Sequence, residues 1–116
     1  MIENSQYLNA EIINDLLEML GDDVGEILTE FQTSALEQIN EATQATKNKD
    51  IDSLIITVHS MKGAAGNIGL QKIYESCHQL EASLRNKEDI DIESSLNKIQ
   101  QDYFLTMSEL KVLRLI

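Results

Sequence analysis

A histidine, a lysine one turn later and a run of small residues form the part of this chain best suited to chemistry. The segment reads HSMKGAAGNIG over residues 59–69. Residues spaced by three, four and seven share one face of a helix. One strip is therefore expected to contain His59, Lys62, Gly63 and Gly66. Because glycine inside a helix costs roughly 1 kcal/mol relative to alanine, the glycines on this strip need a reason. The simplest is that a bulky partner must come close to the imidazole.

An imidazole beside an ammonium group is suited to accepting a phosphoryl group. Histidine forms covalent intermediates through a ring nitrogen, and a neighbouring cation offsets the charge of phosphate. Enzymes that transfer phosphoryl groups mostly position and stabilise charge, often with Mg²⁺. The sequence has no P-loop and no Gly-rich nucleotide motif. We therefore expect His59 to take a group from a partner's active site, and we do not expect this chain to be an enzyme.

A second row of polar side chains is expected on the following helix. It consists of Gln71, His78, Glu81 and Arg85, beside an apolar stripe. Gln71 and Arg85, at the two ends of this row, are expected to contact a docked partner. If the two helices pack antiparallel, this row faces His59, and the Glu81 carboxylate accepts a hydrogen bond from Nδ1–H. That bond fixes the tautomer and leaves Nε2 with a free lone pair.

The residues around the imidazole predict a docking surface for a partner. Ile56 precedes His59 by one turn and offers a small apolar patch, while Lys62 lays its stem along apolar surface. Little side-chain bulk follows, which lets a partner's backbone approach the ring; the small residues are Gly63, Ala64, Ala65 and Gly66.

Charge is distributed unevenly along the chain. The formal net charge of −11 disfavours nucleic acid as a partner. Residues 1–58 sum to −10 and residues 88–116 to −3, whereas residues 59–87 sum to +2. The histidine segment is thus a cationic island on an acidic molecule, which suits phosphate or an acidic partner surface. Chance clustering of a few charges is the alternative, and charge alone does not separate the two.

Apolar spacing predicts helices along nearly the whole chain, which has no proline and few aromatic residues. A short leading helix covers residues 12–20 and stops at Gly21. A second starts at Asp22 or Asp23 and continues to residue 42. The others cover residues 51–65, with Asp50 or Asp52 as the cap, residues 70–84, and residues 91–110. Short connections favour an all-α fold, an antiparallel up-and-down four-helix bundle with a short additional N-terminal helix, as one domain over residues 1–116.

The single cysteine and the apolar segments bear on location. Cys77 lies within a helical apolar stripe and is expected to be a buried small hydrophobe instead of a reactive thiol. A lone cysteine forms no internal disulfide, which is compatible with a reducing compartment. No segment resembles a signal peptide or is long enough to span a bilayer. We expect a cytoplasmic domain without membrane contact, although a longer parent protein could be anchored.

HSMKGAAGNIG, with CHQLEASLR downstream, resembles the histidine phosphotransfer (HPt) domain family over residues 51–85. The family motif is a histidine followed by x-x-Lys-Gly, small residues and a later glycine, here Gly69. The family fold is an antiparallel four-helix bundle with an accessory helix. The resemblance implies that His59 exchanges a phosphoryl group with a receiver-domain aspartate, or a partner kinase, in a two-component multistep phosphorelay. It also implies that Lys62 steadies the phosphate and that Gly63 keeps the docking surface open.

The resemblance extends to the second row of polar residues and to the partners. Members carry Gln or Glu at the position of Glu81, bonded to the imidazole, and glutamate there would repel phosphate somewhat. His78 with Glu81 is similar to the phosphorylated domain of chemotaxis-type histidine kinases, where a second histidine joins the network. The motif is equally similar to the HPt modules of hybrid sensor kinases. The implied partners are receiver domains, which bind the Mg²⁺, and a sensor histidine kinase; the chain itself is expected to be a monomer without a cofactor.

Two other functions stay open at this point. His59, His78 and Glu81 could converge on a metal ion, although bundle metal sites usually recruit Glu-x-x-His pairs and the order here is reversed. The chain could also be a helical interaction module that binds receiver domains without accepting phosphate. The presence of His59, Lys62 and Gly63 together argues against the second alternative.

Overall fold

The computed structural model describes residues 1–116 and contains five helices and no strand. The helices are α1 (Ala10–Leu20), α2 (Asp23–Lys47), α3 (Ile51–Asn67), α4 (Gln71–Arg85) and α5 (Ile92–Val112). Helices α2 to α5 form a closed ring in which each contacts the next and α5 returns to α2. The predicted antiparallel four-helix bundle with a short N-terminal helix is confirmed. None of the five helices combines the length and apolarity needed to cross a bilayer.

Short polar side chains cap the N-termini of three of these helices. Asn9, Asp50 and Asp91 each accept a hydrogen bond from a backbone N–H three residues later, which satisfies one free donor of the first turn. At the other end of α1, Gly21 adopts a φ of 55° and donates its N–H to the Leu17 carbonyl. Of the two caps proposed for α3, Asp50 is therefore the one used.

The apolar stripes of the bundle helices meet in one core. Val58, Met61, Cys77 and Leu80 are examples of core residues that are almost completely buried. Each fully buried side chain of the Val, Leu or Met kind contributes roughly 1.5–3 kcal/mol. Ile51, predicted to belong to the α3 stripe, is exposed instead because it is the first residue of the helix. Burial raises the pKa of the Cys77 thiol to about 12, as befits the inert buried cysteine that the sequence predicts.

The turn between α3 and α4 is anchored to the segment before α1. Gly69 has a φ of +78°, and a Cβ atom there would lie 2.8 Å from Ile13 Cγ1 and 3.0 Å from the Asn9 carbonyl. Its own carbonyl accepts the Asn9 N–H at 2.8 Å, and the Lys72 N–H donates to the Tyr7 carbonyl at 3.2 Å. Gly69 thus allows a tight turn, which α1 covers. This turn sets the direction in which α4 packs back along α3.

A buried polar cluster joins α4 to α5. The Ser76 hydroxyl donates to the Asp102 carboxylate, and the Lys98 ammonium lies 2.9 Å from the same carboxylate oxygen. Thr106 donates to the Asp102 carbonyl at 2.6 Å. Only the bond from Ser76 crosses between helices, linking α4, which holds Glu81, to α5; the bonds from Lys98 and Thr106 lie within α5 and hold Asp102 in place.

Candidate functional site

Three side chains of α3 and α4 meet around the Glu81 carboxylate and form a cluster of four residues with it. Oxygen Oε2 lies 2.8 Å from His59 Nδ1 and 2.8 Å from Arg85 Nε, and Oε1 lies 2.6 Å from Lys62 Nζ. Lys62 follows His59 by three residues and Arg85 follows Glu81 by four, so each pair occupies one face of its own helix. The contact between His59 and Glu81 that the sequence predicts is present, and it requires the antiparallel packing of the two helices.

The carboxylate of this cluster is buried, whereas the imidazole is open. The side chain of Glu81 is 5% exposed and that of His59 is 60% exposed. Burial opposes ionisation of Glu81, but hydrogen bonds from Lys62, Arg85 and His59 outweigh it and lower the pKa of Glu81 to about 2. A carboxylate at neutral pH therefore accepts the Nδ1–H of His59. The opposite ring nitrogen, Nε2, is left with a free lone pair.

Lys62 is held in the cluster and does not extend freely beside the imidazole. Its side chain is only 18% exposed, and its ammonium pairs with Glu81. Arg85, expected to contact a partner, bonds the same carboxylate through Nε while its side chain stays largely exposed. Two cations surround one carboxylate, so the cluster has a net positive charge directly beside the imidazole. Such a charge favours a phosphoryl group on the ring.

The exposed strip of α3 agrees only in part with the predicted docking surface. A Cβ atom added to Gly63 would meet no atom within 4 Å, and Ala64 is exposed. Ile56 is 69% exposed, one turn before His59. Ala65, by contrast, is fully buried in the core and adds nothing to this surface.

Gly66, predicted to make room for a partner, also makes room for a side chain of this chain. A Cβ atom there would stand 2.9 Å from Cδ2 of the Tyr74 ring, which belongs to this chain. The absence of a side chain at Gly66 is therefore explained by packing between α3 and α4. The sequence signals that something bulky approaches this glycine, but only the register of the two helices identifies Tyr74.

His78 and Gln71 lie outside the hydrogen-bonded cluster. The His78 ring stacks on Tyr74 with centroids 5.9 Å apart, and it makes no hydrogen bond with His59 or Glu81. Gln71 is the first residue of α4, about 15 Å along the helix from Glu81, and it donates to Glu75 at 3.3 Å. The three ligands of the metal alternative do not converge, and no three His, Cys, Asp or Glu side chains are placed to hold a metal ion.

One contact at the residue that follows His59 has no signal in the sequence. The Gln38 amide of α2 donates to the Ser60 hydroxyl at 3.1 Å, next to His59 in the chain. It ties α3 to α2 on the side away from Glu81. Nothing in the sequence pairs these residues, because they lie on helices whose relative register depends on the whole bundle.

Comparison with protein families identifies the chain. The model of the Hpt domain matches residues 26–109, which is well over half of the chain and includes all four residues of the Glu81 cluster. This chain belongs to the Hpt domain family. Hpt domains act in histidine phosphotransfer within phosphorelays, as phosphocarriers more than as catalysts. The interaction module that accepts no phosphate is not favoured.

Individual proteins similar to this Hpt domain agree with the assignment. Multistep phosphorelay regulator 1 of Schizosaccharomyces pombe is 27% identical over 96 residues, covering 78% of this chain and 32% of that protein. The Hpt domain thus spans about a third of the length of this curated relative.

Two solved structures share the fold. Histidine-containing phosphotransfer protein B from Pseudomonas aeruginosa PAO1 superposes with a TM-score of 0.88 at 22% identity, covering 96% of each chain. The HPT domain of an Hpt sensor hybrid histidine kinase from Shewanella gives a TM-score of 0.69 at 17% identity, covering 91% of this chain and 95% of that one.

Proposed function

We propose that His59 is the phosphoacceptor of this Hpt domain. It takes a phosphoryl group from the aspartyl phosphate of a receiver domain, or from a partner kinase, and passes it to a second receiver. The observation that supports this role is the way the ring is held. Its Nδ1 is bonded to the buried carboxylate of Glu81, while the side chain as a whole is 60% exposed. The ring is oriented and the side chain is open to solvent, and orientation and access are the two requirements for an in-line nucleophile.

The transfer step forms one bond and breaks one. The Nε2 lone pair of His59 attacks phosphorus, and the bond between phosphorus and the aspartate oxygen breaks as the aspartate leaves as a carboxylate. The ring retains its proton on Nδ1, and the Glu81 carboxylate stabilises the positive charge that the ring gains. In the onward step an aspartate oxygen of the second receiver attacks phosphorus, and Nε2 leaves with the electron pair.

Lys62 and Arg85 offset the charge of the phosphorylated state. A phosphoryl group adds about −1.5 to −2 charges beside Glu81, and both cations already lie within 3 Å of that carboxylate. We infer that Lys62 shares its ammonium between Glu81 and the phosphoryl oxygens, since its stem is fixed and only the terminal atoms need to move. Arg85 keeps its outer guanidinium nitrogens available for the same purpose or for the receiver.

The proposed transfer step requires partners that supply the groups this chain does not contribute. Receiver domains supply the Mg²⁺ and the catalytic carboxylates, a sensor histidine kinase starts the relay, and this chain contributes no cofactor. Docking uses the exposed strip of α3 formed by Ile56, Gly63 and Ala64. The chain acts as a monomer in the cytoplasm.

Labelling by a small phosphodonor tests the acceptor atom without any partner. The chain is incubated with phosphoramidate, the labelled peptide is found by mass spectrometry, and the nitrogen is assigned by phosphorus NMR. His78, the second histidine of the chain, is an internal control because it is also exposed. We expect phosphate on Nε2 of His59. Modification of His78 at an equal rate, or of Nδ1 of His59, would show that the Glu81 bond does not direct the chemistry.

A further inference from the structure

An aromatic pair lies on α4 beside the site and takes no part in the phosphoryl chemistry described above. The rings of Tyr74 and His78 are parallel to within 4°, with centroids 5.9 Å apart. His78 is exposed, whereas Tyr74 is partly buried and packs against the core. The Tyr74 ring also lies against α3 at Gly66, where a Cβ atom would stand only 2.9 Å from it. Gly66 therefore makes room for the ring that supports His78.

Two contacts determine where this pair lies relative to the imidazole. His59 of α3 bonds Glu81 of α4, and Gly66 of α3 contacts Tyr74 of α4. Along α3 the two contacts run from position 59 to position 66, and along α4 they run from position 81 back to position 74. The spacing is therefore the same on both helices, which are antiparallel. Position 78, three before 81, is thus level with position 62, three after 59. His78 is therefore about one helical turn from the imidazole along the bundle, beside the open surface at Gly63.

We propose that the Tyr74–His78 pair is a docking platform for the phosphorylated receiver domain, in which His78 is a specificity-determining contact. The proposal rests on the proposed function, because only a phosphoacceptor at His59 requires a receiver's active site on this face. The two contacts place the platform level with the exposed strip of α3, and it belongs to the segment of net charge +2. A receiver that presents phosphate and carboxylates is the complementary surface.

The Tyr74 ring holds the His78 ring in place, which reduces the entropy cost of docking a partner on it. A flat ring offers a large contact area for few rotatable bonds, so little side-chain entropy is lost on docking. Tyr74 is itself immobilised by the core and by Gly66, so the platform exists before the partner arrives. This arrangement also explains why an exposed histidine stacks on a tyrosine and does not join the Glu81 cluster.

Transfer kinetics with two donors test the platform. The first donor is a radiolabelled phosphorylated receiver domain, chosen from a panel as the one that labels the wild-type chain fastest. The second is phosphoramidate, which is too small to need a docking surface. The variants are His78→Ala, His78→Phe and, as a matched control, Gln79→Ala. Gln79 follows Ser76 by three residues and so lies on the α5 side of α4, away from α3.

We expect His78→Ala to raise the half-saturating receiver concentration by about fivefold or more, the size of effect seen when a contributing interface side chain is truncated. Its maximal rate and its phosphoramidate labelling should match the wild type, and His78→Phe and Gln79→Ala should behave as wild type with both donors. The platform is refuted if His78→Ala keeps the wild-type half-saturation, if it loses labelling by both donors equally, or if His78→Phe is as impaired as His78→Ala. A wild-type chain that accepts phosphate from neither donor would instead refute the proposed function, and the platform with it.

Discussion

Replacing Glu81 by glutamine removes one buried charge and leaves its three partners in place. The pKa of Glu81 lies at about 2 in the folded chain, against an ordinary value of 4.5. A shift of this size corresponds to at most about 3 kcal/mol of stability at neutral pH. His59 and Arg85 are more than half exposed, so solvent screens part of it. We expect Glu81→Gln to lower the free energy of unfolding by about 1–3 kcal/mol at pH 7.

The pH dependence identifies the cause of that loss. Folding lowers the pKa of Glu81, so its ionised form stabilises the fold above about pH 4.5, and this stability disappears as the pH falls from there towards about 2. Urea unfolding followed by circular dichroism, for wild type and Glu81→Gln over this range, should show the two curves converging. Glu75→Gln is the matched control, because Glu75 is exposed on the same helix. A difference that stays constant with pH, or that widens in acid, would refute the assignment of Glu81 as the charged centre of the cluster.

Three other expectations follow from the structure. Gly63→Leu should slow transfer from a receiver on the order of a hundredfold by misplacing it, with phosphoramidate labelling unchanged; equal rates from the receiver would contradict the open-surface argument. Gly69→Ala should lower the free energy of unfolding by about 1–3 kcal/mol in urea, because the left-handed backbone and the contacts with Ile13 and Asn9 both disfavour a Cβ atom; wild-type stability would contradict this. Cys77 should react with thiol reagents only as fast as the chain unfolds, since its pKa is raised to about 12; rapid stoichiometric labelling of the folded chain would argue against the buried thiol.

The periodicity of apolar residues predicts the fold because each helix buries one continuous stripe. The stripes through Val58 and Cys77 are both in the core, and Asp50 and Asp91 begin their helices. The same reasoning finds the bond between His59 and Glu81, since antiparallel packing of α3 and α4 brings the two flanks together. The resemblance to the HPt family, which rests on the His59 segment, is confirmed by the match over residues 26–109.

Other features depend on the register between helices, which apolar spacing does not determine. The role of Gly66 follows from Tyr74 lying opposite it, and His78 stacks on that ring and does not turn towards the imidazole. The carboxylate of Glu81 has two oxygens that can each accept a hydrogen bond. His59 bonds one of them, and Lys62 pairs with the other. The buried carboxylate of Asp102 lies beside its apolar stripe, so a pattern of apolar residues gives it no signal.

Phosphotransfer from a receiver domain to His59 tests the central claim most directly. A radiolabelled, phosphorylated receiver is mixed with the wild-type chain or with His59→Gln, and circular dichroism establishes that both are equally helical. We expect label on the wild type alone, in a linkage that is labile to acid and stable to alkali, as expected for phosphohistidine. Label on the His59→Gln variant, or none on the wild type across a panel of receivers, would contradict it.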